Sequence, residues 1–345
     1  MGDASTVSAG SPFNEGALRD WLAENLPGFS GNLTVRQFQG GQSNPTFLLE
    51  HDNGPLVLRK RPHGTLAPSA HAIDREYRVL NALADSDVPA PRPRLYCSDA
   101  SIVGTEFYLM EFVAGRVFAD PLLPNMAPRE RHALYDAMND ALARLHQFNW
   151  RAAGLDGFGK PDAFFERQIA RWKKQYELTR TDRIPEMDAL LDWLPAHIPH
   201  DQTASIVHGD FRIGNLIFHE TEPRVAAILD WELSTIGHPI ADLAFNCMGY
   251  YLSQDDPIAR GFVGIDTNAL GIPGEQEYLD AYSARTGRDP NPLWRFAMAF
   301  SLFRTAAIQQ GVYARALQGN ATSSDAVQFE DCARRVARAG AALID

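Results

Sequence analysis

The stretch HGDFRIGNLIFHETEPRVAAILDWE, residues 208–232, contains two short apolar runs, Leu216–Phe218 and Val225–Leu229, separated by polar residues and a proline. Apolar runs of this length on either side of a turn signal predict an antiparallel β-hairpin. Because a hairpin returns the chain to the end from which it started, we expect Asn215, just before the first strand, to lie beside Asp230, just after the second.

Asp210 lies on the same predicted loop as Asn215, so three oxygen-bearing side chains are expected to converge there. Asn215 and Asp230 are candidate metal ligands, because asparagine and aspartate offer the hard oxygen atoms that Mg²⁺ takes when it is held together with substrate phosphates. Asp210 is the candidate catalytic base, since a separate carboxylate can accept the proton of an attacking hydroxyl. This combination is typical of metal-assisted phosphoryl transfer, and the spacing D-x-x-x-x-N is that of the kinase catalytic loop.

The ordered set HGDFRIGN (208–215), ILDWE (228–232) and GHPIADLA (237–244) resembles the aminoglycoside phosphotransferase and choline kinase-like family, the small-molecule branch of the protein-kinase-like fold. The wording of these motifs is similar to the subgroup found beside or fused to acyl-CoA dehydrogenases. The resemblance covers nearly the whole chain. It implies a two-lobed α+β fold with a β-rich N-terminal lobe, a mainly helical C-terminal lobe and the hairpin at the cleft between them.

The composition narrows the class of protein. The length of 345 residues predicts two domains or one large one. The hydrophobic content of 45% is enough for a buried core. A net charge of −11 argues against a nucleic-acid-binding surface. The three cysteines, Cys97, Cys247 and Cys332, predict neither a disulfide framework nor a metal site and fit a reducing, cytoplasmic compartment. Without an apolar run of roughly 20 residues, no membrane association is expected.

Residues 1–12 are small and polar and are expected to be disordered, and residues 13–113 are expected to form the nucleotide-binding N-terminal lobe. The apolar periodicity of this lobe predicts an antiparallel sheet with flanking helices. The predicted helices are 13–26 and 71–84, and the predicted strands are 33–38, 46–51, 56–59, 94–98 and 106–113.

Beyond a predicted hinge at Ala114-Gly115, helices dominate residues 114–345, the predicted C-terminal lobe with the catalytic loop and the substrate site. The predicted helices cover about 127–148, 161–180, 185–196, 239–252, 274–286, 291–318 and 323–343.

A turn at Gly40-Gly41-Gln42-Ser43-Asn44 joins the first two predicted strands of the sheet. A glycine pair lets backbone N–H groups approach phosphates closely, because no Cβ stands in the way. No Gly-Lys-Ser/Thr follows, which excludes a Walker A loop, and the strand that comes next argues against a dinucleotide-binding turn. The turn is therefore a candidate kinase-type phosphate cover, with a plain hairpin turn as the alternative.

The third predicted strand ends in Arg59-Lys60, two cations on opposite faces. We favour Arg59 for the phosphate contact, because Val57, two residues before it, matches the small residue of the kinase pattern. Lys60 is the alternate, and two solvated charges at a strand end remain the plain alternative. Glu76 on the following helix is expected to pair with the strand cation and to hold it in place.

The resemblance also implies a hinge that binds adenine through backbone groups of Glu111 and Val113, with Met110 lining the pocket behind them.

Four further residues near the hairpin are candidates for supporting roles. His208 is expected to pack under the catalytic loop, and Arg212 could face phosphate or substrate. Glu232 could touch a second metal or the substrate, or cap the following loop. Asp242 is expected to be a buried acceptor that holds the loop.

Together the motifs predict an ATP- and Mg²⁺-dependent phosphotransferase that acts on a hydroxyl group of a small molecule, with GTP left open as the donor. The motifs specify neither the acceptor nor the oligomeric state. Acidic residues between 255 and 280 would suit a cationic acceptor or a solvated face, Arg304 and Arg315 an anionic group, and the subgroup implies a hydroxyacyl-CoA or a hydroxy acid. The alternative is a nucleotide-binding pseudokinase or accessory module with an acyl-CoA dehydrogenase as its partner.

Overall fold

The computed structural model describes residues 6–7, 13–38, 44–62, 72–256, 260–317 and 329–344. Packing of the Cα atoms divides the chain into two compact units. The first comprises Met1–Val117, Trp150–Leu155 and Asn215–Ser234, and the second comprises Phe118–Asn149, Asp156–Gly214 and Thr235–Asp345.

The strands of the described residues form three antiparallel sheets. They are β1 (Thr6–Val7), β2 (Thr34–Phe38), β3 (Thr46–Glu50), β4 (Leu56–Lys60), β5 (Pro93–Cys97), β6 (Phe107–Glu111), β7 (Arg116–Val117), β8 (Ser205–Val207), β9 (Leu216–Phe218), β10 (Val225–Ile228) and β11 (Thr235–Gly237). The first unit holds a six-stranded sheet in the order β1-β2-β3-β4-β6-β5 and a three-stranded sheet in the order β10-β9-β7. In the second unit β8 pairs with β11.

Helices flank the large sheet of the first unit and make up most of the second. They are α1 (Glu15–Asn25), α2 (Ile73–Leu83), α3 (Ala100–Val103), α4 (Pro128–Gln147), α5 (Phe164–Thr179), α6 (Pro185–Ala196), α7 (Ile240–Cys247), α8 (Thr267–Leu270), α9 (Glu275–Thr286), α10 (Asn291–Leu317) and α11 (Phe329–Ala341). Across the described ranges, no helix is both long enough and apolar enough for a membrane crossing.

The core of the first unit lies between α1 and the large sheet. Leu18 and Leu22, one helical turn apart on α1, are fully buried, and Phe47 and Leu49 of β3 with Leu58 of β4 enter the same core. Burying a large apolar side chain contributes about 1.5–3 kcal/mol to folding. The alternation of core residues along β3 leaves Thr46, Leu48 and Glu50 on the opposite face of the sheet.

The core of the second unit is organised around α10. Phe296, Phe300 and Phe303 are buried on this helix, and α5, α6, α7 and α11 pack against it. The buried helix α7 follows directly from β11, and the loop that begins at His208 follows directly from β8, the strand that pairs with β11.

Most predicted elements are present within a few residues of their predicted bounds. The helix predicted at 239–252 ends as an α-helix at Cys247 and continues as a 3₁₀ turn over Met248–Tyr251. The short elements β1, β7, β8, β11, α3 and α8 were not predicted, because segments of two to four residues carry no periodicity.

Two expectations about the division of the chain have a mixed outcome. Within residues 1–12, expected to be disordered, Thr6–Val7 pair with β2, and the remainder lies outside the described residues. The lobe boundary at residue 114 stays a prediction. The compact units differ from it, because the hairpin of β9 and β10 groups with the first unit.

Candidate functional site

A buried cluster of charges surrounds Arg59 on β4 in the first unit. The Arg59 Nε atom lies 2.7 Å from Oε2 of Glu76 on α2, and its Nη2 atom lies 2.6 Å from Oδ1 of Asp230. Glu76 is 1% exposed, whereas the Asp230 side chain is 33% exposed. The Arg59 guanidinium therefore contacts two carboxylates that are far apart in the sequence. Its contact with Glu76 is the pair that the sequence predicted.

Neighbouring strands complete this cluster. Thr46 of β3 and Tyr108 of β6 flank Arg59 in the sheet. The Tyr108 hydroxyl donates a hydrogen bond to Glu76 Oε2 at 3.0 Å, and Asn44 Nδ2 donates to Glu76 Oε1 at 2.6 Å. Asn44 is the described end of the predicted phosphate-covering turn. The other predicted members of that turn, Gly40, Gly41, Gln42 and Ser43, lie outside the described residues.

The charged groups of the cluster stabilise one another in their ionised forms. Burial opposes the charge on Arg59, but the nearby carboxylates of Glu76 and Asp230 outweigh it and raise the Arg59 pKa. Burial raises the pKa of Glu76, and Arg59 together with the hydrogen bonds from Tyr108 and Asn44 opposes that rise. Arg59 is thus a permanent cation with two anionic partners, one buried and one partly exposed.

The Lys60 side chain is buried, so the alternative of two solvated charges at the strand end is wrong for this residue. It is 1% exposed on the opposite face of β4, where its ammonium donates to the carbonyl of Val103 and lies 5.3 Å from the centre of the Phe13 ring. Burial lowers the Lys60 pKa. The strand alternation therefore directs Lys60 into the core of the first unit, away from Glu76 and Asp230.

The hairpin of β9 and β10 brings Asn215 and Asp230 to the same end, as the apolar pattern predicted. Ile228 pairs with Leu216, and Leu229 N–H donates to the Asn215 carbonyl at 2.8 Å. Asn215 is buried at the end of a 3₁₀ turn over Ile213–Asn215.

Asp230 adopts a left-handed backbone conformation, with φ 65° and ψ 65°. This conformation is costly for a residue with a Cβ, and it is found where surrounding structure enforces it, often at functional sites. A 3₁₀ turn over Trp231–Leu233 follows, anchored by the Trp231 indole N–H on the Ile228 carbonyl at 2.9 Å. Glu232 lies in this turn, close enough to Arg59 for its carboxylate to help raise the Arg59 pKa.

The predicted adenine-binding segment lies at the end of β6. Met110 is buried, and Glu111, the last residue of the strand, pairs with Leu56. The Glu111 carboxylate accepts the Arg92 N–H at 3.1 Å, so its side chain supports the chain beside β5. Val113 lies beyond the strand. The adenine contact itself stays a prediction.

In the second unit, Asp242 in the first turn of α7 holds the loop that begins at His208. Its Oδ2 atom accepts the His208 N–H at 2.5 Å, and its Oδ1 atom accepts the Gly209 N–H at 2.8 Å. Gly209 has φ +86°, a conformation that favours glycine, so the chain can turn and present both N–H groups to one carboxylate. His208 is fully buried under the loop, and its Nδ1 accepts the Asp210 N–H at 3.2 Å.

His146, which the sequence did not single out, completes this support. Its ring lies with Nε2 3.5 Å from Asp242 Oδ2 and Nδ1 2.8 Å from the Tyr282 hydroxyl. Burial lowers the His146 pKa, so the ring is neutral. Burial opposes ionisation of Asp242, but the hydrogen bonds from His146 and the loop outweigh it and lower the Asp242 pKa.

Two arginines flank Asp210. Arg304 of α10 donates to the Gly209 carbonyl at 2.6 Å, with its guanidinium against the rings of Trp172 and Phe245. Arg212 Nε lies 3.4 Å from Asp210 Oδ1. Burial lowers the Arg304 pKa, and the carboxylates of Asp210 and Asp242 oppose that effect. Arg304 therefore lies beside the candidate base. The sequence indicated only that Arg304, together with Arg315 on the same helix, could meet an anionic group.

The residues expected to hold Mg²⁺ offer a fitting set of donors. Asn215 and Asp230 supply an amide and a carboxylate at one end of the hairpin, and the Asp230 side chain is partly exposed. Oxygen donors of this kind suit Mg²⁺ that takes its remaining ligands from phosphates and water. Within the described residues, no group of three histidine, cysteine or acidic side chains is arranged to bind a metal by itself.

Two features define a kinase-like phosphotransferase architecture. The first is the ion pair between Arg59 of the large antiparallel sheet and the buried Glu76 of α2. The second is the loop that Asp242 holds through backbone N–H groups and that precedes the hairpin of β9 and β10. A model of the phosphotransferase enzyme family, APH, matches residues 34–300. The chain belongs to this family, and its fold is the predicted α+β, protein-kinase-like fold.

Two relatives are longer proteins. Acyl-CoA dehydrogenase family member 10 of Mus musculus is 50% identical over 299 residues, which cover 87% of this chain and 28% of that protein. Acyl-CoA dehydrogenase family member 11 of Gallus gallus is 44% identical over 338 residues, which cover 96% of this chain and 43% of that protein. The chain spans less than half the length of these relatives.

Solved structures support the fold. A candidate aminoglycoside phosphotransferase from Ralstonia eutropha JMP134 is 47% identical, with a TM-score of 0.88 over 96% of this chain and 98% of that one. The aminoglycoside phosphotransferase APH(4)-Ia, in ternary complex with AMP-PNP and hygromycin B, is 15% identical, with a TM-score of 0.61 over 94% of this chain and 98% of that one. The second likeness concerns the fold alone.

Proposed function

We propose that the protein transfers the γ-phosphoryl group of ATP to a hydroxyl group of a small molecule, with Mg²⁺ bound to Asn215 and Asp230. The observation that carries the proposal is the cluster in which Arg59 contacts both Glu76 and Asp230. A cation held by a buried carboxylate beside a candidate metal ligand is the arrangement that kinase-like enzymes use to bind nucleotide phosphates.

Each residue of the proposed site has a separate task. Arg59 binds phosphate oxygens, and Glu76 keeps its guanidinium in place. Asp210 accepts the proton of the attacking hydroxyl, and Asp242 keeps the loop of Asp210 in position through two backbone N–H groups. Mg²⁺, when bound, neutralises charge on the phosphates. Catalysis of this kind depends mainly on positioning and on electrostatic stabilisation.

The experiment that tests the proposal measures ATP turnover against a panel of hydroxyl compounds, together with ATP binding. Asp210→Ala should reduce turnover by about 10²–10⁴-fold, the usual contribution of a general base, while ATP affinity stays near that of the parent protein. Asp192→Ala, an exposed carboxylate on α6, is the control and should change neither quantity. Parent-like turnover in Asp210→Ala would rule out its role as the base.

The metal assignment has its own test. Asp230→Ala should remove the Mg²⁺ dependence of ATP binding, because the variant lacks one of the two proposed protein ligands. If Mg²⁺ still tightened ATP binding to the same extent, Asp230 would not be a ligand.

A second candidate is a nucleotide-binding accessory module, without transferase activity, for an acyl-CoA dehydrogenase. The observation that favours it is the name and length of the relatives, in which the matched region is less than half of the protein. The turnover panel separates the candidates, since an accessory module binds ATP but transfers phosphate to no acceptor.

A further inference from the structure

A cavity of about 160 Å³ opens in the second unit beside the loop of Asp210. One wall is the loop itself, through Arg212, Ile213 and Gly214, and the others come from α4, from the end of α7 and its 3₁₀ turn, and from Phe262 and Tyr278. A cavity of roughly 150 Å³ accommodates a group the size of benzene, so the space suits a segment of a few carbon atoms.

The charges on the wall of this cavity are of one sign. Arg212 and Arg260 are its charged lining residues, and no aspartate or glutamate is among the described residues that line it. Each arginine lies 3.4 Å from one carboxylate: Arg212 from Asp210, and Arg260 from Asp120. The two guanidinium side chains are 49% and 61% exposed, so a ligand that enters from solvent can reach them.

The neutral polar groups of the wall already have partners. The Tyr135 hydroxyl donates to the Pro121 carbonyl at 2.7 Å, and the Tyr278 hydroxyl donates to Asn246 Oδ1 at 2.7 Å. Burial raises the pKa of both tyrosines, so they stay protonated. With these hydroxyls engaged in the wall, the guanidinium groups are left as the donors best placed to bind a ligand.

The acidic residues that could have favoured a cationic acceptor are engaged elsewhere in the second unit. Asp256, which is buried, accepts from Gln309 Nε2, and Glu275 accepts from the Tyr251 hydroxyl and the Trp294 indole. These residues do not line the cavity.

We propose that this cavity binds a phosphate acceptor that carries an anionic group, a carboxylate or a phosphate, on a short apolar segment. Arg212 and Arg260 bind the anionic group, and Phe245, Met248 and Phe262 contact the apolar segment. Because Arg212 also contacts Asp210, an acceptor bound in this way lies beside the candidate base. The inference rests on the proposed function and adds the chemical class of the acceptor.

The test is a set of binding measurements by calorimetry in the presence of ADP, which need no turnover. The compounds are hydroxycarboxylates of about three to six carbons, matched to the cavity, their neutral amides, hydroxyalkyl phosphates of the same chain length, and choline. Charge-assisted hydrogen bonds to a guanidinium are about twice as strong as neutral ones. We therefore expect the anionic compounds to bind about tenfold or more tightly than the amides, and choline to bind weakly.

Arginine variants then locate the contact. Arg260→Gln should weaken binding of the anionic compounds by about tenfold and leave binding of the amides and of ATP unchanged. Arg183→Gln is the matched control, because Arg183 is an exposed arginine that pairs with Asp188 at 2.7 Å outside the cavity. It should leave all affinities unchanged. Binding of the acids and the phosphates no tighter than that of the amides, tighter binding of choline, or parent-like binding of both the acids and the phosphates to Arg260→Gln would each overturn the inference.

The same measurements distinguish a carboxylate ligand from a phosphate ligand. They also distinguish failure of this inference from failure of the proposed function. A carboxylate ligand is indicated if the free acids lose affinity in Arg260→Gln, and a phosphate ligand if only the hydroxyalkyl phosphates do. If the acids or the phosphates bind through Arg260 but none is phosphorylated, the proposed transferase function fails while the anion-binding cavity stands.

Discussion

Two buried carboxylates, Glu76 in the first unit and Asp242 in the second, are stabilised in different ways. Each is 1% exposed. Glu76 pairs with a permanent cation, Arg59, and accepts from Asn44 and Tyr108. Asp242 accepts from two backbone N–H groups and a neutral imidazole, which are partial charges fixed in the fold.

The difference distinguishes a cluster that can bind a ligand, around Arg59, from a carboxylate that holds a loop in position, Asp242. A guanidinium has five N–H donors, so Arg59 can hold Glu76 and still bind Asp230 or a phosphate oxygen. The backbone donors on Asp242 cannot leave it unless the loop of Asp210 moves. We therefore expect changes in the Arg59 cluster to affect ligand affinity and stability separately, and changes around Asp242 to affect turnover and stability through loop geometry.

The largest effect is expected from Arg59→Ala, which leaves Glu76 buried without its cation. Removing one partner of a buried pair costs about 3–5 kcal/mol in the free energy of unfolding. Loss of the proposed phosphate contact should also weaken ATP binding by about ten- to a hundredfold. Urea unfolding and calorimetry measure the two effects.

The double variant Arg59→Ala/Glu76→Gln sharpens this test, because it also removes the buried charge. Most of the stability should return while ATP affinity stays low. Recovery of ATP affinity in the double variant would mean that Arg59 acts only as the counter-charge of Glu76.

Asp242→Asn should have an intermediate effect on the second region. The amide keeps one acceptor oxygen but turns an NH₂ group toward a donor, which costs about 1–3 kcal/mol. We expect a lower kcat with little change in the KM for ATP, as measured by steady-state kinetics. Asp266→Asn is the control. Asp266 is the N-cap residue of α8, and aspartate and asparagine cap a helix about equally well, so this variant should behave like the parent protein. A large rise in the KM for ATP would contradict a purely supporting role.

A smaller effect should appear in the pH dependence of stability. Burial lowers the pKa of His146 below its ordinary value of 6.5, so the unfolded chain binds a proton that the folded protein rejects. The stability contribution is complete above pH 6.5 and is lost as the pH falls from 6.5 toward the folded pKa, by at most about 1.4 kcal/mol per pH unit.

Urea unfolding at pH 7.5 and 5.5 measures this loss. His146→Gln should lose less stability between the two values than the parent protein. His238, whose pKa burial also lowers, should maintain part of the dependence. The exposed His200→Gln is the control and should behave like the parent. An unchanged loss in His146→Gln would show that His146 does not titrate on unfolding in this range.

The smallest effect is expected from Lys60→Met. The methionine fills a similar volume, so the free energy of unfolding should change by less than about 1.5 kcal/mol, and ATP affinity should not change. Lys60→Ala should instead destabilise the protein through the cavity it leaves. A loss of ATP affinity in Lys60→Met, measured by calorimetry, would contradict the assignment of the phosphate contact to Arg59.

Particular residues show how far sequence patterns reached into the site. The pairing of Arg59 with Glu76 was predicted from strand alternation and the kinase pattern. The burial of Lys60 was missed, because alternation tells which face a residue takes but not whether that face meets core or solvent. His146, Arg304 and Arg260 were missed as partners of the loop and the cavity, since each lies on an element far away in the sequence.

By itself the sequence determined the family, the bounds of most helices and strands, and the meeting of Asn215 with Asp230 at one end of a hairpin. These features depend on local periodicity, on turn chemistry and on motifs whose spacing is set within a few residues. Only the tertiary structure decided that Arg59 contacts Asp230, that Asp242 meets His146, and that two arginines line one cavity. Such contacts arise from the packing of distant elements, which leaves no local signal along the chain.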